Sequence, residues 1–223
     1  MVAKAFSRFC FVKTKNQYLR LYSPKLKDMK IVKIIGAVLV ALIAIPLIAA
    51  LFIPKEYAIK REVVVNKPSQ AVFDYIKYVK NQDHFSVWNQ MDPEMKKSYN
   101  EVPDGTVGFK YSWEGNEDNV GTGSQTITQI TEGKRLDMRL DFVKPFEAHD
   151  DAYMELEPIS ANETKVTWGF NGAFPYPMNF MRLFFDMDKQ VGGDLGKGLD
   201  NLKVVLEAQP EVTASSSDTT LAK

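Results

Sequence analysis

The five residues Glu147-Ala148-His149-Asp150-Asp151 gather four titratable or metal-ligating side chains, the densest such cluster in the chain. Carboxylates beside an imidazole suit general acid/base work or a metal ion. On a strand, alternation puts Glu147, His149 and Asp151 on one face and Asp150 on the other. That split favours a solvated strand start over a metal centre. The only other histidine, His84, is remote in sequence, and neither belongs to an HExxH or a Cys/His pattern. The expectation is therefore no metal and no cofactor.

Other candidates are weaker. The glycines of VGTGSQT lack the third glycine and the following helix of a dinucleotide fingerprint. No GxSxG elbow occurs, and GNEDN lacks the spacing of an EF-hand loop. The single cysteine, Cys10, sits before a long apolar run, so the rest of the chain must be stable without disulfides. Catalytic residues are not identifiable from motifs.

The elements that would position a site follow a clear order. KEYAIKREVVVN reads as a strand, and Pro68-Ser69 as a helix start with Ser69 the expected N-cap. Val72, Phe73, Ile76 and Val79 then recur at helical spacing, and HFSVWNQMDPEM reads as a short helix or turn carrying Trp88. FKYSWEG, SQTITQIT, RLDMRLDF, DAYMELE and TKVTWGFNG follow as strands, several alternating between apolar and polar positions. A terminal helix carries Val191, Leu195, Leu199, Leu202 and Leu206 on one stripe. Its glycines 192, 193, 196 and 198 each cost about 0.5 to 1 kcal/mol relative to alanine. They predict either a break at Gly192-Gly193 or a helix lying close to a sheet, with space beneath it.

Charge is unevenly distributed. Lys plus Arg and Asp plus Glu both number 28, but the first 33 residues hold nine bases and one acid, leaving 19 bases against 27 acids. No basic stripe fits nucleic acid. IIGAVLVALIAIPLIAALFI, ending at Ile53, has no charge and is long enough for a bilayer's roughly 30 Å hydrocarbon core. Lys25, Lys27, Lys30 and Lys33 precede it, which predicts a cytoplasmic N-terminus and a domain on the other side; with no cysteine in that domain, the expected location is the periplasmic, extracytoplasmic side of a bacterial inner membrane. A cleaved signal ending at Ala50 is the alternative. The expected division is a basic segment 1–30, with Met29 an alternative start; an anchor 31–53; a domain 55–208; and a disordered tail 209–223.

VNKPSQAVFDYIKYVKNQDHFSVWNQMDP, YSWEGNEDNVGTGSQTITQI, VTWGFNG and GLDNLKVVLE, in that order and spacing, resemble the START-like or SRPBCC superfamily, and within it the polyketide cyclase/dehydrase branch. The resemblance implies an α+β helix-grip fold, a curved antiparallel sheet around a long C-terminal helix with a cavity between them. It places Trp88, Tyr111, Trp113, Met138, Phe142, Trp168, Phe170 and Gly196 around that cavity as candidate ligand-binding residues. An apolar pocket suits a lipid or other hydrophobic small molecule held by a membrane-tethered, monomeric binding module. A cyclase or hydratase, and a ligand-free interaction domain, are the alternatives.

Overall fold

In the computed structural model the described residues are 26–116 and 120–210, the first three by backbone alone. The basic N-terminal segment up to residue 25, Cys10, residues 117–119 of GNEDN and nearly all of the expected tail lie outside them. The chain divides into two units, Met1–Ala49 and Ala50–Lys223.

The first unit is dominated by α1 (Leu26–Ala50), which continues through Pro46 without interruption. From Met29 to Ala50 it is long and apolar enough to cross a membrane, a test that a signal sequence also passes. Its most apolar window is unburied.

The second unit is built on seven antiparallel strands: β1 (Glu56–Val65), β2 (Lys96–Tyr99), β3 (Lys110–Glu114), β4 (Thr122–Thr131), β5 (Arg135–Lys144), β6 (Ala148–Ser160) and β7 (Glu163–Ala173). Their order across the sheet is β1-β7-β6-β5-β4-β3-β2. Register shifts at Thr122/Gly123 and Ile127/Gln129 interrupt the β4–β5 ladder, and such bulges bend the strand that carries them. The inner face presents Phe109, Ile127, Leu136, Met138, Met154 and Val166, all buried.

Three helices, α2 (Ser69–Ile76), α3 (Val87–Met91) and α4 (Met187–Ala208), complete the unit, with 3₁₀ segments at Val79–His84 and Met178–Leu183. α4 buries Leu195, Leu199, Leu202 and Leu206, the stripe expected from the sequence. It runs unbroken through Gly192-Gly193, so of the two alternatives the break is absent. Asp186 caps it by accepting from the Lys189 amide, and Arg61 of β1 grips Asp188 through Nη1 and Nη2 of its guanidinium at 3.0 and 2.9 Å. At the far end Glu207 accepts from the Asn66 amide at 2.8 Å. Both ends of the helix are therefore tied to β1. This is the helix-grip architecture.

Two local expectations need correction. Ser69 is not the cap of α2: Pro68 occupies that position, and the Ser69 hydroxyl instead donates to the Gly133 carbonyl at 3.3 Å. The sequence reading also omitted β2, whose Lys96-Lys97-Ser98-Tyr99 buries no face.

The strand pairings define the two ends of the sheet. Glu56 pairs with Ala173, Phe142 with Ala148 and Thr122 with Lys144. One end therefore carries the chain's entry into β1, the β5–β6 turn and the exit from β7. The β4–β5 and β6–β7 turns lie at the other.

Candidate functional site

A cavity of about 360 Å³ lies between the inner face of the sheet, α3 and α4. Each wall follows from the alternation of its strand or the stripe of its helix. β3 supplies Tyr111 and Trp113, β5 supplies Met138 and Phe142, β7 supplies Trp168 and Phe170, and α3 supplies Trp88. These seven candidates are brought together, although they span 83 positions of sequence from Trp88 to Phe170. Trp168 meets the edges of Phe85 and Trp88 at 5.6 and 6.1 Å, and Trp113 meets Phe142 edge-on at 5.9 Å. Such pairing fixes ring orientation as well as burying area. The Trp113 indole donates to the Val120 carbonyl at 3.1 Å, so its polar atom is satisfied away from any ligand.

Gly196 does not belong to the wall. The helix faces the cavity with Met187, Val191 and Leu195, which repeat every fourth residue, whereas Gly196 is turned toward β1. A Cβ there would lie 3.8 Å from Arg61 Cγ, an ordinary contact. The close approach is at Gly198, where a Cβ would come within 2.8 Å of the Trp168 ring. Gly192 makes room for the Arg61 guanidinium in the same manner. The glycines do let α4 lie near the sheet, but at positions 192 and 198.

The wall also holds polar groups that sequence motifs did not reveal. Gln82 and Gln125, both buried, direct their amides at Met138 Sδ from 3.7 and 2.8 Å. Asp150 is only 5% exposed and lines the cavity together with Tyr57. The Tyr57 hydroxyl donates to Asp150 Oδ1 at 3.3 Å, and the Ala173 amide also donates to the carboxylate. Burial pushes the Asp150 carboxyl up to about 6, against the opposing pull of those hydrogen bonds. Tyr57 is pushed well above the ordinary phenol range, first by burial and then by the neighbouring carboxylate. Gly172 lets the pair sit there, since a Cβ would strike both Asp150 and Tyr57.

The alternation expected for residues 147–151 holds: Asp150 points inward, while Glu147, His149 and Asp151 are exposed. On the outer face His149 Nδ1 lies 2.6 Å from Asp141 Oδ1. Among the described residues no group of three or more His, Cys, Asp or Glu side chains could hold a metal ion. The inner residue of the cluster thus faces the cavity, and the remainder is solvated surface.

Chemically, this is an apolar box with one carboxyl set into its wall. Below its raised pKa that carboxyl donates a hydrogen bond; above it, it accepts or carries charge. Such a group can orient a polar end of an otherwise apolar molecule.

Residues 57–207 match the family model described as polyketide cyclase / dehydrase and lipid transport. No curated protein sequence matches the chain. Among solved structures, norcoclaurine synthase from Thalictrum flavum, determined with dopamine and hydroxybenzaldehyde, is similar at TM-score 0.53 and 12% identity, covering 71% of this chain and 91% of that one. A protein from Chromobacterium violaceum is similar at TM-score 0.48 and 13% identity, covering 68% and 98%. At such identities the likeness is one of fold.

Proposed function

The chain belongs to the polyketide cyclase / dehydrase and lipid transport family, and from that membership we propose that it is a membrane-tethered module that binds a lipid or other hydrophobic small molecule in the α4-gripped cavity. The supporting observation is the cavity itself: about 360 Å³ walled by aromatic and methionine side chains, within the range of small-molecule sites. The tether is the helix Met29–Ala50, which would hold the domain where apolar ligands are concentrated. Native mass spectrometry of the protein purified from cells tests the binding reading, with a retained apolar molecule as the expected result. An empty cavity, together with no uptake of a hydrophobic fluorescent probe, would favour the ligand-free interaction domain.

The tether and its orientation have their own test. A reporter active only outside the cytoplasm, fused after Lys223, is expected to work, and a cytoplasm-dependent one to fail. Reversed results would refute the orientation. A mature N-terminus at Leu51 would replace the anchor with a cleaved signal.

The Asp150–Tyr57 pair favours a second reading, an enzyme of the cyclase or hydratase type. A buried carboxyl whose pKa lies near 6 is suited to general acid/base work. The distinguishing variant is Asp150→Asn. If the protein is an enzyme, this variant should accumulate a bound molecule that differs from the wild-type ligand by one water, or is its isomer. Identical bound molecules would support binding alone.

A further inference from the structure

We infer that the end of the sheet carrying the chain's entry is a lipid-docking surface that seats the cavity mouth on the bilayer. The inference rests on the tethering reading above.

A mouth at that end follows from the cavity wall, which extends to it. Lys144, Pro145 and Phe146 of the β5–β6 turn, Phe174 just after β7, and Met187 at the start of α4 all line the cavity. Strand pairing places the β5–β6 turn and Phe174 beside Glu56, where the chain enters β1, and Arg61 of β1 holds the start of α4 through Asp188. An apolar ligand using this opening leaves or enters at the side from which the chain arrives.

The same end exposes large apolar side chains. Phe146 is 75% exposed and Phe184 74%, and Leu183 and Phe185 beside it are also exposed. Isolated exposed hydrophobic residues are ordinary, but several gathered around the opening of an apolar cavity mark an interaction surface. Their chemistry suits the boundary between headgroups and acyl chains, where aromatic side chains concentrate.

What identifies the occupant as lipid is the way the chain is held there. Asn179 Nδ2 donates to the carbonyls of Ala50 and Ile53 at 2.6 and 2.8 Å. Arg182 Nη1 donates to those of Pro54 and Glu56 at 2.7 and 2.9 Å. Ala50 is the last residue of the candidate span. The 3₁₀ segment Met178–Leu183 is thus fastened to the point where the apolar run ends, and Phe184 and Phe185 follow it directly. If the run spans a bilayer, these rings must lie at its surface. Phe52, 81% exposed within the fastened stretch, meets the same boundary.

The test uses the full chain, with Cys10→Ser, reconstituted into phosphatidylethanolamine–phosphatidylglycerol vesicles. Single substitutions Phe146→Cys, Phe184→Cys and Asn162→Cys each carry a nitroxide; Asn162 lies in the β6–β7 turn at the opposite end of the sheet. The expected result is that labels at 146 and 184 relax with dissolved oxygen and are shielded from an aqueous nickel chelate, while the label at 162 shows the reverse. Water-exposed labels at both 146 and 184, in a chain that stays in the vesicles through an alkaline wash, would overturn the docking and leave the tether standing. A lipid-protected 184 with a water-exposed 146 would also overturn it, because the mouth would not be seated. Loss of the chain in the alkaline wash would refute the tether, and the docking with it.

Discussion

Asp150 costs stability at neutral pH and gives it back in acid, because its folded pKa of about 6 stands above the ordinary carboxylate value of 3.8. The folded state therefore binds more protons than the unfolded one between those values. Stability from this group is full below about pH 4 and is lost as pH rises through about 6. The total is ~3 kcal/mol at most. Denaturant unfolding across that range should show this slope in the difference between wild type and Asp150→Asn, because carboxylates held low by hydrogen bonds and ion pairs, such as Asp74, Asp188 and Glu207, act in the opposite sense in both. Alternation in the sequence already turned Asp150 away from His149 and Asp151. Tyr57, its hydrogen-bond donor, is separated from it by 93 positions, and only the β1–β7–β6 pairing brings the two together. The glycines show the same limit: composition announced a close approach of α4, but periodicity could not say which glycine made it. Gly196→Ala is expected to stabilise by about 0.4 to 1 kcal/mol. Gly198→Ala should destabilise, because its Cβ would meet a Trp168 ring held between Phe85 and Trp88. Thermal unfolding of the two variants separates them.

At the level of elements, Trp168 links β7 to α3 and to the helix above. Trp168→Ala should cost about 3 to 5 kcal/mol and enlarge the cavity, so that bulkier hydrophobic probes bind as the melting temperature falls. Probe-size series and thermal melts on the same variant check both outcomes. The strands with one dry face were legible because burial enforces alternation, as in Leu136, Met138, Leu140 and Phe142 of β5. β2 was not, because neither face of Lys96–Tyr99 is buried and only hydrogen bonds to β3 define it. The Ser69 cap failed for a different reason. Its side chain found the Gly133 carbonyl of a distant turn, an option that local capping rules do not contain.

For the whole molecule, the compact unit begins at Ala50. Its first residues are held by Asn179, a buried polar residue whose carboxamide donates to the carbonyls of Ala50 and Ile53. A fragment of residues 50–210 should be more stable than one of 55–208 by about 1 to 3 kcal/mol, since the shorter one strands that carboxamide and uncovers its surroundings. Chemical denaturation of the two fragments measures the difference. No composition or spacing rule marks Asn179 in advance, because its role depends on where the chain entered the fold.

The open sheet has a further consequence for how copies of the chain meet. β1 and β2 stand at its two edges, each with one side that no neighbouring strand pairs, the usual nucleus for edge-to-edge aggregation. β2 is only four residues long and carries Lys96 and Lys97; β1 carries Lys60, Arg61 and Glu62 in its middle and has α4 fastened along it. Short length, like charges and a helical cover each oppose the addition of a neighbour's strand. If the helix Met29–Ala50 anchors the protein as proposed, copies confined to one membrane meet often, and these edges keep such encounters from becoming permanent.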